Sequence, residues 1–386
     1  MKVLQVSTYF LPVIGGLENV VHNLSKALLD RGHEVHVLAS NLTLTQEKID
    51  VERETIDGLS VLRVPCTKLR YGLEYPHAMG RSFFEGFDVV HLHAHLSPFY
   101  LSAARRAKEA GIPVLLHFMA IDGVRTHRNP GVRFFGSLFE SYSMKTYRDL
   151  IDVALAKSQV DYEKLTGPYS FPNVGMLPDG CPSSYFERHD GRVFRDKFGV
   201  ASEKMILFLG RLHPLKGIDV LIKAAELVVK EHPDACFIVA GPDDGMMPEI
   251  TQTIEALGLG ENVKTTGFLS EEEKLSALST CRMLVIPSLS DIVEVYSTVI
   301  SEAFAQKKPV IASEIGGLSA RIDDGHNGFL VRPYDHEQLA HRIMQLLADE
   351  ALAERMGEQG TLQVHSWDEV ASMAEEIYRE TLAGSR

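Results

Sequence analysis

Met283-Leu284-Val285-Ile286-Pro287-Ser288 is a short apolar run stopped by a proline, the pattern of a strand buried on both faces of a parallel sheet. In the segment that follows, Glu294-Val295-Tyr296-Ser297-Thr298-Val299-Ile300-Ser301-Glu302-Ala303-Phe304, the residues Val295, Val299, Ile300, Ala303 and Phe304 recur at three- and four-residue spacing. That is one apolar face of a helix, and Ser297 is placed to cap it. Free amides of a first turn carry positive potential and suit a phosphate. Glu294, in the loop ahead of that turn, can touch a sugar on the phosphate's far side. Glu302, inside the helix, can accept hydrogen bonds from ribose hydroxyls, as an acidic residue does in dinucleotide sites. Together they imply a nucleotide-sugar pocket. Read separately they are a loop charge and a snorkelling helix residue, so the surrounding chain decides.

Outward from this segment, short apolar runs alternate with amphipathic helical patterns. Strands are expected at Val3–Ser7, Glu34–Ala39, Leu59–Val64, Asp88–Leu92, Pro113–His117, Val153–Ala156 and Val174–Leu177. Helices are expected at Leu17–Asp30, stopped by Arg31-Gly32, and at Pro98–Ala110. Periodicity fades and charge rises over Ser183–Val200. Alternation then resumes with Lys204–Leu209, Ala235–Ala240, Asn262–Thr266, Met283–Ile286, Pro309–Ala312 and Gly328–Val331. The reading is α/β: two Rossmann-like, doubly wound parallel-sheet domains facing across a cleft, residues 1–190 and 191–365. A last helix in 366–386 is expected to pack back on the first domain.

Apolar content of 45% and a net charge of −13 suit a globular chain and argue against nucleic acid, whose binders carry a basic excess. Cys66, Cys181, Cys236 and Cys281 lie far apart, without metal or redox spacing, and read as buried thiols. A strand beginning at Lys2 and the lack of a long apolar run predict neither leader nor membrane span, hence a cytoplasmic protein, at the inner face of the membrane if it docks there.

Ligands of open parallel sheets sit at the carboxyl ends of strands. There, Met205-Ile-Leu-Phe-Leu209 runs into Gly210-Arg211-Leu-His-Pro-Leu-Lys216-Gly217, a loop whose two cations suit a diphosphate. In the first half, Val3–Ser7 leads to Gly15-Gly16, where backbone amides can approach a ligand closely; the dinucleotide fingerprint is missing. His117 ends a strand and is expected to open onto the cleft as a hydroxyl contact or a structural histidine. His91, His93 and His95 alternate along one strand face, yet no carboxylate or cysteine stands at ligand spacing and no Asp-x-Asp occurs, so no metal is expected. Over residues 125–148, Arg125, Arg128, Arg133, Lys145 and Arg148 interleave with Phe134, Phe135, Phe139, Tyr142 and Tyr147. The pattern fits either a peripheral membrane or partner surface, or core aromatics with snorkelling cations, the commoner arrangement.

These residues resemble the retaining glycosyltransferases of family 4. The likeness rests on Pro12-Val-Ile-Gly15-Gly16 with Arg31-Gly-His-Glu-Val35, Asp88-Val-Val-His-Leu-His93, His117, Pro178-Asp-Gly180, Gly210-Arg211 with Lys216-Gly217, Pro287-Ser288, Glu294 with Glu302, Lys308-Pro-Val-Ile-Ala-Ser313, Gly316-Gly317 and Asn327-Gly328. The resemblance implies transfer of a hexosyl group from a nucleotide-diphosphate sugar, a co-substrate, to a glycan or lipid-linked hydroxyl, with configuration retained and neither metal nor cofactor. It gives Arg211 and Lys216 the leaving diphosphate, Glu294 the sugar hydroxyls and Glu302 the ribose. Gly15, Gly16 and His117 would close over sugar and phosphate from the other domain. Three positions depart: Val295-Tyr296 replaces Phe-Gly, at backbone contacts to the diphosphate beside Ser297; Leu318-Ser319 stands where a glutamate is usual; Asp179-Gly180 replaces Asn-Gly. A nucleotide-sugar epimerase and a non-catalytic nucleotide-sugar sensor are the rival readings.

Overall fold

The computed structural model describes residues 1–69, 73–77, 79–119, 121–126, 129–290 and 297–384. Glu294, Val295, Tyr296 and Arg128 therefore lie outside the described residues. The chain divides into two units, Met1–Gly180 with His365–Arg386, and Cys181–Val364. The first crossing falls ahead of the charged stretch where periodicity fades, because Pro182–Phe198 already packs on the second unit through Tyr185 and Phe194.

The first unit is an eight-stranded sheet. In chain order its strands are β1 (Lys2–Val6), β2 (Glu34–Ser40), β3 (Arg53–Ile56), β4 (Leu59–Val64), β7 (Val89–Leu92), β8 (Val114–His117), β9 (Val153–Ala156) and β10 (Val174–Met176), with a side hairpin, β5 (Cys66–Lys68) and β6 (Glu74–Pro76), between β4 and β7. They lie in the order β10-β9-β8-β7-β1-β2-β4-β3. All pairs are parallel but β3–β4, an antiparallel edge. From β1 the chain winds outward one way through β2 and β4, then returns to wind the other way from β7. The switch point, where open sheets bind ligands, thus lies between β1 and β7.

Helix α1 (Gly16–Asp30) buries Val21, Leu24 and Leu28 against one face, at helical spacing. The far face is covered by α2 (Pro98–Glu109), α3 (Pro130–Leu150) and the short α4 (Gln159–Thr166). The chain's last helix, Trp367–Gly384, lies beside α1, with Val370, Ala371, Ala374 and Tyr378 in the same cluster. Arg31, just past the end of α1, fastens it through Glu375 at 2.9 Å and Asp368 at 3.1 Å.

A two-residue strand, β11 (Gly180–Cys181), marks the boundary. The second unit's sheet comprises β12 (Met205–Leu209), β13 (Cys236–Ala240), β14 (Val263–Gly267), β15 (Met283–Ile286), β16 (Val310–Ser313) and β17 (Gly328–Val331), in the order β14-β13-β12-β15-β16-β17, parallel throughout. Its helices are α5 (Arg192–Phe198), α6 (Ile218–Glu231), α7 (Met247–Ala256), α8 (Glu271–Thr280), α9 (Thr298–Ala305), α10 (Gly316–Ser319), α11 (His336–Ala348) and α12 (Glu350–Thr361). Strand β12 is buried on both sides, which is why its sequence does not alternate. Ile206 and Phe208 pack toward α6 and α11, while Met205, Leu207 and Leu209 pack toward α8 and α9. The direction of winding reverses between β12 and β15. The loops leaving those two strands are Gly210–Gly217 and the segment that opens with Pro287.

Among the described residues no helix is long and apolar enough to cross a membrane.

Candidate functional site

At the second unit's switch point two loops are locked together through backbone. Gly217 has φ +69°, and a Cβ there would stand 1.9 Å from the Pro287 carbonyl oxygen, so only glycine lets the loops touch. Beside it the Leu289 amide donates to the Leu215 carbonyl at 2.8 Å. The turn after β12 is fixed from its other side, where Gly241 (φ +145°) leaves no room for a Cβ over the Gly210 carbonyl. Arg211 and Lys216 are thereby carried at one strand end. Arg211 is exposed and meets Asp244 only at 3.5 Å, a surface pair worth little and readily exchanged for a ligand. Lys216 is half-buried at the far end of the same loop.

Helix α9 begins at Thr298 with Ser297 in the N-cap position, where the sequence places it, but the Ser297 side chain makes no capping hydrogen bond. Val299 is half-buried and Ile300, Ala303 and Phe304 are buried, so the apolar face is as read. Glu302 sits one turn in with its side chain 15% exposed. Its Oε1 accepts from Lys274 Nζ at 3.0 Å, and that ammonium also meets Glu271 at 3.1 Å and lies 5.1 Å from the Tyr185 ring centroid. The Tyr185 hydroxyl donates to Glu271. Glu302 Oε2 is buried with no hydrogen-bond partner among the described residues. Burial raises the Glu302 carboxyl above its usual range, and Lys274 opposes that rise. Burial also works against the Lys274 charge, yet Glu302 and Glu271 hold its pKa above normal. One oxygen tied to a lysine and one idle make an acceptor prepared for hydroxyls. Lys274 and Tyr185 were not legible beforehand: α8 opens with a capping box at Ser270 and Glu273, which announces a helix but not which helix it meets.

In the first unit the β1-to-α1 loop is held from outside. The Tyr100 hydroxyl accepts from the Thr8 amide at 2.9 Å, and fully buried Arg63, paired with Glu54 at 2.6 Å, donates to the Leu11 carbonyl at 2.5 Å. Gly15 is extended and precedes α1, which starts at Gly16. The Glu18 carboxylate folds back over Gly15, where a Cβ would meet its Oε2 at 2.4 Å.

His117, expected to open onto the cleft or to be a structural histidine, is buried. It shares a pocket with His91 and His93, whose rings stack at 4.1 Å, and candidate ligand nitrogens of all three lie within 4.8 Å of one another. The sequence put His95 in this group and left His117 out. The pairing of β7 with β8 brings His117 in, while His95, past the end of β7, turns to buried Glu140 at 3.3 Å. His93 Nε2 meets Gln5 Oε1 at 2.5 Å, an acceptor-only oxygen, so His93 carries its proton there and leaves Nδ1 bare. His91 Nδ1 meets the Tyr378 hydroxyl of the last helix at 2.8 Å. Burial pushes all three pKa values down, His91 to about 3, so the imidazoles are neutral at pH 7. Three neutral imidazoles are a donor set a divalent ion could use. Asp179, at the position of a usual asparagine, is paired with Lys157 at 2.5 Å.

Two known families match this chain. Residues 192–363 match the family described as glycosyl transferases group 1, and residues 15–174 match the glycosyl transferase 4-like domain. An uncharacterized glycosyltransferase of Methanocaldococcus jannaschii is 25% identical over 412 residues, covering 98% of each chain. The phosphatidyl-myo-inositol mannosyltransferase of Mycolicibacterium smegmatis is 26% identical over 402 residues, covering 100% of this chain and 95% of that one. Among solved structures, Anabaena HepE in complex with UDP superposes with a TM-score of 0.72 at 19% identity, over 98% of this chain and 100% of that one, a likeness of fold. The two matches follow one another along nearly the whole sequence, the 4-like domain in the first unit and group 1 in the second, so the chain is similar to glycosyl transferases in both units.

Proposed function

We propose that the protein is a retaining, metal-independent glycosyltransferase that moves a hexosyl group from a nucleotide-diphosphate sugar to a hydroxyl of a glycan or lipid-linked acceptor. The observation that carries the reading is Glu302, a buried carboxylate of the helix that follows β15, one oxygen held by Lys274 and the other without a hydrogen-bond partner among the described residues, in the unit whose β12 loop bears Arg211 and Lys216. These are the groups that a ribose and a diphosphate call for. Of the three similar proteins named above, one is a phosphatidyl-myo-inositol mannosyltransferase and another was solved with UDP.

In this reading Glu302 accepts the ribose hydroxyls, and Arg211, Lys216 and the first-turn amides of α9 take up the charge of the departing diphosphate. Glu294 keeps the donor sugar's hydroxyls, with Val295, Tyr296 and Ser297 offering backbone contacts to the diphosphate. His117, buried beside His91 and His93, takes no part in this reading. The acceptor oxygen attacks the anomeric carbon on the face from which the leaving group departs. The bond to the diphosphate breaks, and the acceptor's proton passes to the leaving phosphate oxygen. Products are a glycoside of retained configuration and a nucleoside diphosphate. Side-chain cations supply the charge that a divalent ion would otherwise provide, so the reaction needs no metal.

The test is a panel of nucleotide sugars with glycan and lipid-linked acceptors, run in EDTA and followed by proton NMR. The reading expects acceptor-dependent product whose anomeric proton shows the donor's configuration. An inverted product, a rate abolished by EDTA, or sugar interconversion without acceptor would each reject it.

A further inference from the structure

Helix α3 is firmly made: Asn129 accepts from the Gly131 and Val132 amides at 2.9 and 3.3 Å, and Met144 and Tyr147 are buried in the first unit's core. Its outer face is not what aromatic content predicts. Phe134, Phe135, Leu138 and Tyr142 are 62%, 53%, 55% and 53% exposed, so the expectation of core aromatics holds for Tyr147 and fails for these. Phe134, Leu138 and Tyr142 follow one another at four-residue spacing and Lys145 continues the line, a single outward spine.

The charge on that helix is mainly basic. Between Val132 and Leu150 the charged residues are Arg133, Glu140, Lys145, Arg148 and Asp149; the three cations and Asp149 are exposed, and Glu140 is buried against His95. Arg105 of α2 adds a fourth cation, donating to the Tyr142 hydroxyl at 3.0 Å. This is in a chain of net charge −13. The four apolar side chains expose on the order of 500 Å², the size of a functional surface patch and short of the ~800 Å² per partner of a stable protein interface. A narrow apolar ridge with a cationic border fits the boundary of a lipid bilayer, into which such a helix lies roughly 5–10 Å deep.

We propose that α3 docks the protein on the surface of an anionic lipid bilayer, with Phe134, Phe135, Leu138 and Tyr142 entering the acyl boundary and Arg133, Lys145, Arg148 and Arg105 facing headgroups. This does not rest on the donor-site reading, since vesicle binding needs no substrate.

The experiment is co-sedimentation of the full chain with phosphatidylcholine vesicles, with and without 30% phosphatidylglycerol, at low and high salt. The wild type should partition onto the anionic vesicles and lose affinity at high salt, at roughly fivefold per cation engaged. Phe134→Ser with Leu138→Ser should bind at least ~10-fold more weakly to the anionic vesicles, with unchanged melting temperature and unchanged nucleoside diphosphate binding. Phe135→Ser should weaken binding alone to a lesser degree. Arg133→Glu with Lys145→Glu should abolish the preference for anionic lipid. A wild type that stays in the supernatant with both vesicles overturns the proposal. So does a Phe134→Ser, Leu138→Ser variant that sediments like wild type. A salt-independent dimer in sedimentation velocity that the same variant dissolves, without vesicle binding, assigns the face to a second copy and equally overturns it.

Discussion

Lys274 decides what Glu302 can do. Without an ammonium 3.0 Å away, burial alone would govern that carboxyl and favour its neutral form. Lys274→Met should therefore weaken nucleoside diphosphate binding by on the order of 10-fold at pH 7, the worth of one charge-assisted contact. The sign follows from the direction of the shift. A carboxyl pushed upward gains protons as pH falls, and without Lys274 it is pushed further, so the variant's affinity should drop more from pH 8 to 6 than the wild type's. Calorimetric titration checks this; equal affinities for the two proteins across that range would remove Lys274 from the site. The positions of Arg211, Lys216 and Glu302 after a strand or in the helix that follows one could be read from sequence, because there local pattern and position coincide. Lys274 could not, because its meaning comes from a helix contact between residues far apart in the chain.

The helix that carries Glu302 is seated by another. In α12, Gly357 lies so close to the Lys307 carbonyl that a Cβ would stand 1.9 Å from the oxygen, and at Gly360 it would stand 2.2 Å from the Phe304 ring. An exposed helix gains about 1 kcal/mol when glycine becomes alanine. Here the added methyl must push α12 off backbone, an overpacking cost of about 1–3 kcal/mol. Gly357→Ala should thus lower stability in denaturant unfolding, opposite to propensity; a stabilised variant would show that α12 does not abut α9 this closely. Elements of this kind divide by environment. The inner strands of both sheets were legible as apolar runs since both faces are covered. The edge strand Arg53–Ile56 was not, because Arg-Glu-Thr-Ile is half-exposed and polar. Helix α3 shows the converse, since aromatic residues at helical spacing do not say which face meets the core.

At the scale of the molecule, the first unit is assembled from both ends of the chain, and its interior holds three neutral histidines. Each has a folded pKa below the unfolded value of about 6.5, so the unfolded chain binds more protons at lower pH. Stability contributed by each is complete above about pH 6.5 and is lost as pH falls toward the folded value, which for His91 is about 3. The slope is up to about 1.4 kcal/mol per pH unit for each histidine. Unfolding free energies measured from pH 7 to 4 should fall less steeply for His91→Gln than for wild type; parallel curves would place a charged or solvated histidine at that position. The alternation of strands and helices announced two Rossmann-like units, but not the place where the chain passes between them, because Tyr185 and Phe194 join the second core from within a stretch of weak periodicity.

The account rests on a diphosphate gripped beside β12 and β15. The most direct test is the rate of nucleoside diphosphate release from the preferred donor by wild type and by Lys216→Ala. Removing one donor to developing negative charge typically costs on the order of 10²–10³ in rate. The account predicts a loss of that size with an unchanged melting temperature. Release by Lys216→Ala at the wild-type rate would contradict it.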